Sequence, residues 1–249
     1  MSSRPIGGSR ESTGRRIIHG GPDLSVIVPI YNEENYVVKV VNELLMVLEE
    51  FEIDFEVLAV DDGSTDLTAE RLKLFRDEPR FSIITHSTNC GKGAAICTGI
   101  DHARGTFVVV HDCDGEYGAH NIPYLLEAAR RGNFVCFGSR LWRRPRMRWL
   151  HFVGNKLISK VASMFLPCDV SDIMTGHKLF RRDLVTRPLG CSGFPIEVEL
   201  TFMLIRGLPN PVVPFCEVCI DYDCRGSGSK LRKFDGVRSL IQVAREVLR

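Results

Sequence analysis

The sequence predicts an α/β protein built on a mostly parallel sheet, and three observations carry that reading. From Leu24 onward, short apolar runs alternate with amphipathic segments, the rhythm of strands that cross over through helices. The apolar runs stop abruptly at polar or acidic clusters, as in "GTFVVVHDCDGEYG", Gly105 to Gly118. The 249 residues are 44% hydrophobic and 25% charged, enough for one large globular core.

The elements follow in order. "LSVIVPI" is a buried strand. "NYVVKVVNELLMVLEEF" then carries Val37, Val41, Leu44, Leu45, Leu48 and Phe51 on one face at helical spacing. "FEVLAV" is a second strand ending at "DDGSTD", where Ser64 or Thr65 is placed to cap the helix "LTAERLKLFR". "FSIITH" is a third strand, followed by the glycine-rich turn and helix "NCGKGAAICTGIDHA". "TFVVV" is the fourth. Beyond it, "GNFVCFGSRL" reads as a strand, "GFPIEVELTFMLIRGL" as a helix and "PVVPFCEVCIDYD" as a final strand before a basic loop and the closing helix "DGVRSLIQVAREVLR". Residues 1–22 read as a flexible tail without the apolar core of a signal peptide, and 23–249 as a single domain without internal repeats.

Composition narrows the partners. A net charge of +1 exerts no global pull toward nucleic acid. Nine cysteines, an odd number without framework spacing, fit a reducing, cytoplasmic compartment better than a disulfide scaffold. Cys216 and Cys219 have zinc-ligand spacing, but no second pair follows them, so buried strand thiols are favoured over structural zinc. No window reaches the roughly 18 to 20 apolar residues of a membrane span.

Ligands of such sheets gather at the carboxyl ends of the strands. There stand Tyr31, Asn32 and Glu33 after the first strand, Asp61 and Asp62 after the second, and Asp112 to Glu116 after the fourth. One such loop alone reads as a solvated turn or a cap; three at one sheet edge read as a site. Two carboxylates one residue apart can turn toward one hard cation, and Mg²⁺ typically takes one or two carboxylates plus a substrate's phosphates. A metal-diphosphate site is therefore favoured over a closed calcium cage, whose distal glutamate is missing. "CGKGA" is not a P-loop, because position 86 is His86 and Gly93 follows Lys92. The turn either brings Lys92 and backbone donors toward an anion or is purely structural.

"SVIVPIYNEE", "VLAVDDGSTD", "NCGKGAA", "HDCDGEY", "FGSR" and "RGSGSKL" occur in the order found in family 2 of the glycosyltransferases. From about Leu24 to the C-terminus the chain resembles the dolichol-phosphate mannose synthase-like, polyprenyl-phosphate branch. The resemblance implies a GT-A fold, a Rossmann-like mostly parallel sheet flanked by helices. It also implies metal-dependent, inverting transfer of a hexose from a nucleotide-diphosphate sugar, GDP-mannose or a UDP-sugar. By likeness, Pro29, Tyr31, Glu33, Val60 and Asp62 would line the nucleotide pocket, with Asp62 accepting from the base. Asp112, Cys113 and Asp114 look like the DxD motif, bridging the donor to Mg²⁺ or Mn²⁺. Glu116, where relatives often carry glutamine, would join the metal set. Arg140 would face the diphosphate or acceptor, and Arg225 and Lys230 would complete the phosphate clamp. The "RGSGSK" loop is one residue short of the common pattern. His177 replaces an aromatic residue, and a packed histidine is favoured there over an acceptor contact.

An anionic lipid phosphate needs no general base, whereas a hydroxyl acceptor normally does. The resemblance implies a polyprenyl or dolichyl phosphate acceptor, which agrees with no residue announcing itself as a base. Residues 140–166 support it: Arg140, Arg143, Arg144, Arg146 and Arg148 interleave with Trp142 and Trp149 ahead of an amphipathic helix, a composition suited to an anionic membrane interface. The expected location is peripheral, on the cytoplasmic membrane face. A solvated loop is the plain alternative, and nucleic acid is disfavoured. The rival functions are the same chemistry on a soluble acceptor and a non-catalytic sugar-nucleotide or membrane-binding module.

Overall fold

The computed structural model describes residues 21–142, 149–190, 193, 195–209, 214–223 and 235–249. Its strands are β1 (Leu24–Ile30), β2 (Phe55–Asp61), β3 (Phe81–Thr85), β4 (Phe107–Val110), β5 (Val135–Ser139), β6 (Lys178–Arg181) and β7 (Phe215–Cys219). Among the described residues they form one sheet in the order β3-β2-β1-β4-β6-β5-β7. β6 runs antiparallel to both its neighbours and the other pairs are parallel.

The helices are α1 (Val37–Glu50), α2 (Thr68–Leu72), α3 (Lys92–His102), α4 (Asn121–Arg130), α5 (Trp149–Ser163), α6 (Ile196–Arg206) and α7 (Asp235–Val247). Alternation along β1 divides the core. Val26, Val28 and Ile30 face one layer with Val41 and Leu44 of α1 and Ile122 and Leu125 of α4. Ile27 faces the other layer, with Ile96 of α3, Ile158 of α5, Phe202 of α6 and Val243 of α7. Each such side chain contributes about 1.5–3 kcal/mol on burial, and the two layers hold the carboxyl ends of β1, β2 and β4 at one rim.

Several local expectations change. On α1 the inward face uses Val40 and Val47, while Phe51 is an exposed C-cap because the helix ends at Glu50. Neither Ser64 nor Thr65 caps α2. Both turn toward Asn32, and the Asp66 carboxylate accepts the Thr68 N–H at 2.9 Å instead. α2 is only five residues long and runs on into a 3₁₀ turn over Lys73–Phe75. Two elements lie outside the sequence reading: α4, with Pro123 in its first turn where a missing N–H costs nothing, and β6, four residues long and carrying two cations. At the expected tail boundary, the Pro22 carbonyl accepts the Thr106 N–H at 3.1 Å, so residue 22 is already tied to the sheet.

Candidate active site

The rim is built by cross-links between loops. The Asn32 N–H donates to Ser64 Oγ (3.0 Å), the Thr65 N–H to Asn32 Oδ1 (2.8 Å), and the Glu33 N–H to Thr68 Oγ1 (2.9 Å). Pro29 sits opposite Val60 in the β1–β2 register, so the turns carrying Tyr31, Glu33 and Asp62 emerge side by side. Gly63 at φ +68° allows the β2 loop to press on the next one: a Cβ there would lie 2.6 Å from the Thr88 carbonyl carbon.

Asp62 is buried and heavily engaged. Its Oδ1 accepts the Cys90 N–H (2.9 Å) and faces His86 Nδ1 (2.7 Å), while Oδ2 accepts the Gly91 N–H (2.7 Å). Three of the roughly four acceptor positions of a carboxylate are thereby filled. The residue expected to read a base also holds the glycine-rich turn in place.

Lys92, the first residue of α3, reaches across to Asp112 (2.8 Å to Oδ1, 3.0 Å to Oδ2) and to Glu197 Oε1 (2.8 Å). Glu197 Oε2 also accepts from the wholly buried Lys178 ammonium at 2.5 Å, and Lys178 donates further to the Ile173 and Thr175 carbonyls. Burial would raise Glu197, but the two lysines outweigh it and hold its carboxyl at about 2. Burial likewise opposes the charge on Lys92, yet Asp112 and Glu197 keep its pKa above the usual lysine range. Lys92 thereby fixes the direction of the Asp112 carboxylate, with Gly176 opposite it: a Cβ there would lie 2.3 Å from Asp112 Oδ2.

The remaining acids part company. Asp114 Oδ1 accepts the Glu116 N–H (3.0 Å), and Glu116 Oε2 accepts the Tyr222 hydroxyl (2.5 Å). Cys113 turns its thiol into the hydrophobic core, leaving only its backbone at the rim. Among the described residues, the group of three ligating atoms within 4.8 Å of one another is Asp62, His86 and Cys90, not the acidic turn.

Arg140 is buried in a bidentate pair with Asp172, Nε to Oδ2 at 2.7 Å and Nη2 to Oδ1 at 2.8 Å. Its guanidinium lies 5.1 Å from the centre of the Tyr222 ring. The structure thus gives Arg140 a partner in Asp172 and a place beside the tyrosines that flank the acidic turn. His177 is a packed histidine: wholly buried, stacked on Tyr117 at 4.6 Å, with Nε2 2.6 Å from His111 Nδ1. Burial keeps both rings neutral, His111 being pulled down to about 4. Arg225, Lys230, Arg143, Arg144, Arg146 and Arg148 lie outside the described residues.

The family 2 glycosyl transferase model matches residues 25–187, well over half of the chain. The chain belongs to glycosyl transferase family 2. Family members with curated names include the dolichol-phosphate mannosyltransferase of Pyrococcus furiosus, 31% identical over 84% of this chain and 59% of its own length. The undecaprenyl-phosphate 4-deoxy-4-formamido-L-arabinose transferase of Aeromonas hydrophila is 29% identical over 68% of this chain and 52% of its own length. The chain therefore spans half to three fifths of these relatives. Among solved structures, glucosyl-3-phosphoglycerate synthase from Mycobacterium tuberculosis in complex with UDP superposes with a TM-score of 0.67 at 19% identity, covering 92% of this chain and 80% of that one. The same enzyme with Mn²⁺, UDP and phosphoglyceric acid superposes equally well, at 0.67 and 19% over 92% of this chain and 78% of that one. These neighbours establish the GT-A fold.

Around this site, sequence reasoning missed Glu197, Asp172 and Tyr222, which hold Lys92, Arg140 and Glu116. The one available signal was acids inside the apolar segment "PIEVEL", where an unpaired carboxylate is too costly to bury.

Proposed function

We propose that this chain transfers a hexose from a nucleotide-diphosphate sugar to a polyprenyl phosphate at a membrane surface, with inversion at the anomeric carbon. The observation that carries the reading is the acidic turn Asp112–Glu116 at the parallel sheet's rim, with Asp112 paired to Lys92. The donor is received by Pro29, Tyr31, Glu33 and Val60, with Asp62 offering its remaining acceptor position to the base. The carboxylate oxygens of Asp112, Asp114 and Glu116 are a hard donor set suited to Mg²⁺ or Mn²⁺. Held there, the ion would neutralise the charge developing on the departing nucleoside diphosphate. The neighbours crystallised with Mn²⁺ and UDP support this choice.

The chain's own groups do the rest. Lys92 positions Asp112, and Arg140 with Asp172 fixes the tyrosine shelf; Arg225 and Lys230 complete the phosphate clamp. The acceptor's phosphate oxygen is already anionic and attacks from the face opposite the diphosphate, which inverts the centre. No proton has to be removed, consistent with His111 and His177 being buried against each other.

The names of the relatives support a lipid phosphate, and the surface supports a membrane. α5 exposes Trp149, Val153 and Leu157, with Lys156 and Lys160 in its later turns. α7, packed against α5, turns Val237, Leu240, Ile241 and Ala244 outward, beside Arg238 and Arg245. Its one acid within 236–247, Glu246, is buried. An apolar stripe edged by cations fits an anionic interface. Among the described residues no helix is long and apolar enough to cross a membrane.

The test is a panel of GDP- and UDP-sugars with Mn²⁺ or Mg²⁺, offered short-chain polyprenyl phosphate and 3-phosphoglycerate, with products weighed by mass spectrometry. A glycosylated polyprenyl phosphate is expected. Product on the soluble phosphate alone would replace the acceptor, and no turnover of any donor would leave a binding module.

A further inference from the structure

We propose that Asp62, His86 and Cys90 form a second, thiolate-containing cation site that takes Zn²⁺ or a similar borderline-soft divalent ion, and that its occupation blocks donor binding. One ligand atom from each residue lies within 4.8 Å of the other two. Imidazole, thiolate and carboxylate are the usual zinc donors, and the three-residue gap between His86 and Cys90 is a common ligand spacing. Three protein ligands leave the fourth position of a tetrahedral ion open.

The surroundings are those of a ligand set held ready. The Cys90 N–H and the Gly91 N–H both donate to Asp62, which pins the cysteine's loop beside the carboxylate. His86 Nδ1 faces Asp62 Oδ1 at 2.7 Å, and its other nitrogen, Nε2, is 2.9 Å from Thr98 Oγ1. A metal-bound histidine characteristically donates its second ring N–H to such an outer partner. Facing a carboxylate oxygen, Nδ1 is placed to donate, and Nε2 is then placed to accept from Thr98 Oγ1. On metal binding the ring proton moves to Nε2 and is donated to Thr98 Oγ1, which frees the Nδ1 lone pair. The Cys90 thiol loses its proton to solvent, so one proton is released per ion. The exposed position of Cys90 gives the ion an entry path.

Hardness separates this site from the acidic turn. Sulfur and imidazole select Zn²⁺ over Mg²⁺ or Mn²⁺, whereas an all-carboxylate set does not. The blocking effect rests on the donor reading given above, since it requires Asp62 to meet the base: an ion replaces the His86 N–H at Asp62 and draws the carboxylate's charge away from the base's donors. The cation site itself does not depend on that reading.

The experiment uses Co²⁺ as a coloured stand-in for Zn²⁺ on the whole chain, without nucleotide. One equivalent is expected to give a thiolate-to-cobalt charge-transfer band that Zn²⁺ abolishes and excess Mg²⁺ does not. Cys90→Ser should lose the band, and Thr98→Val should weaken affinity by about tenfold or more, the usual cost of an outer partner. Absence of the band in the parent, or its persistence in Cys90→Ser, overturns the site. Calorimetric titration with UDP and GDP then tests the block: Zn²⁺ should weaken nucleotide binding in the parent and leave Cys90→Ser unaffected. Equal binding with and without Zn²⁺ in the parent overturns the block. Failure of the Zn²⁺-free parent to bind either nucleotide with Mg²⁺ present would count against the donor reading instead, leaving the cobalt result standing.

Discussion

The β1–β4 half of the sheet and the β5–β7 half hold their loops in place with different chemistry. In the first, neutral hydroxyls and amides link the β1 and β2 loops, Asn32 with Ser64 and Thr65 and Glu33 with Thr68, while the Asp62 carboxylate holds the Cys90 and Gly91 amides of the next loop. In the second, buried ion pairs do it: Arg140 with Asp172, and Lys178 with Glu197. Glu197 joins the halves, because its other oxygen holds Lys92 on the donor side. A neutral hydrogen bond is worth about 1 kcal/mol net, whereas removing one partner of a buried ion pair costs about 3–5 kcal/mol. At these contacts the β5–β7 half is thus the more brittle to mutation, and the hydroxyl and amide links of the β1–β4 half the more tolerant.

The comparison breaks most readily at Glu197. Glu197→Ala strands the buried Lys178 ammonium and should cost about 3–5 kcal/mol in thermal or denaturant unfolding. The exposed pair Lys73–Glu70 supplies the control, since Lys73→Ala should cost less than about 1 kcal/mol. Equal losses at the two sites would erase the distinction between the halves.

Acid gives the next largest effect. Burial, only partly countered by Asp112, pulls His111 from 6.5 down to about 4, and His177 moves in the same direction. The unfolded chain takes up these protons near the ordinary histidine value while the folded chain resists. Stability is therefore complete above about 6.5 and falls as pH drops toward 4. His111→Gln should flatten that part of a melting-temperature profile. An unchanged slope would mean that the ring does not titrate as its burial requires.

Thr68→Val removes the acceptor of the Glu33 N–H and should cost about 1 kcal/mol, with a modest loss of nucleotide affinity. A loss as large as that at Glu197 would show the donor-side loops to be equally brittle. The smallest effect on stability belongs to the exposed face. Replacing Trp142 and Trp149, the latter 70% exposed, by Ala should change unfolding by about 0.5 kcal/mol or less. The same pair should reduce partitioning onto anionic liposomes, and equal partitioning would remove the interfacial role.

The contrast between the halves also explains what could be read from the residues alone. β1 to β4 and the loops at their ends are legible because each is written in consecutive residues: an apolar run, then the polar groups that leave it. β6 is four residues with cations at both ends, and its apolar content is too short to register. The ion pairs are invisible for another reason. Arg140 and Asp172 stand 32 positions apart, and Lys92 and Glu197 stand 105 apart, so only the fold brings them together. Cys113 was placed with the donor by its position between the aspartates, but alternation turned its side chain into the core. His177 followed the packed reading because an apolar strand and a tyrosine face enclose it.

The central claim is that Asp112 and Asp114 hold a divalent ion against the donor's diphosphate. Mn²⁺ binding followed by electron paramagnetic resonance, with UDP or GDP present, tests it in the parent and in Asp114→Ala. The account predicts one nucleotide-dependent Mn²⁺ in the parent, and in the variant its loss together with a fall in turnover on the order of 10²–10³. A variant that binds Mn²⁺ and nucleotide as the parent does, and turns over normally at saturating Mn²⁺, would contradict it.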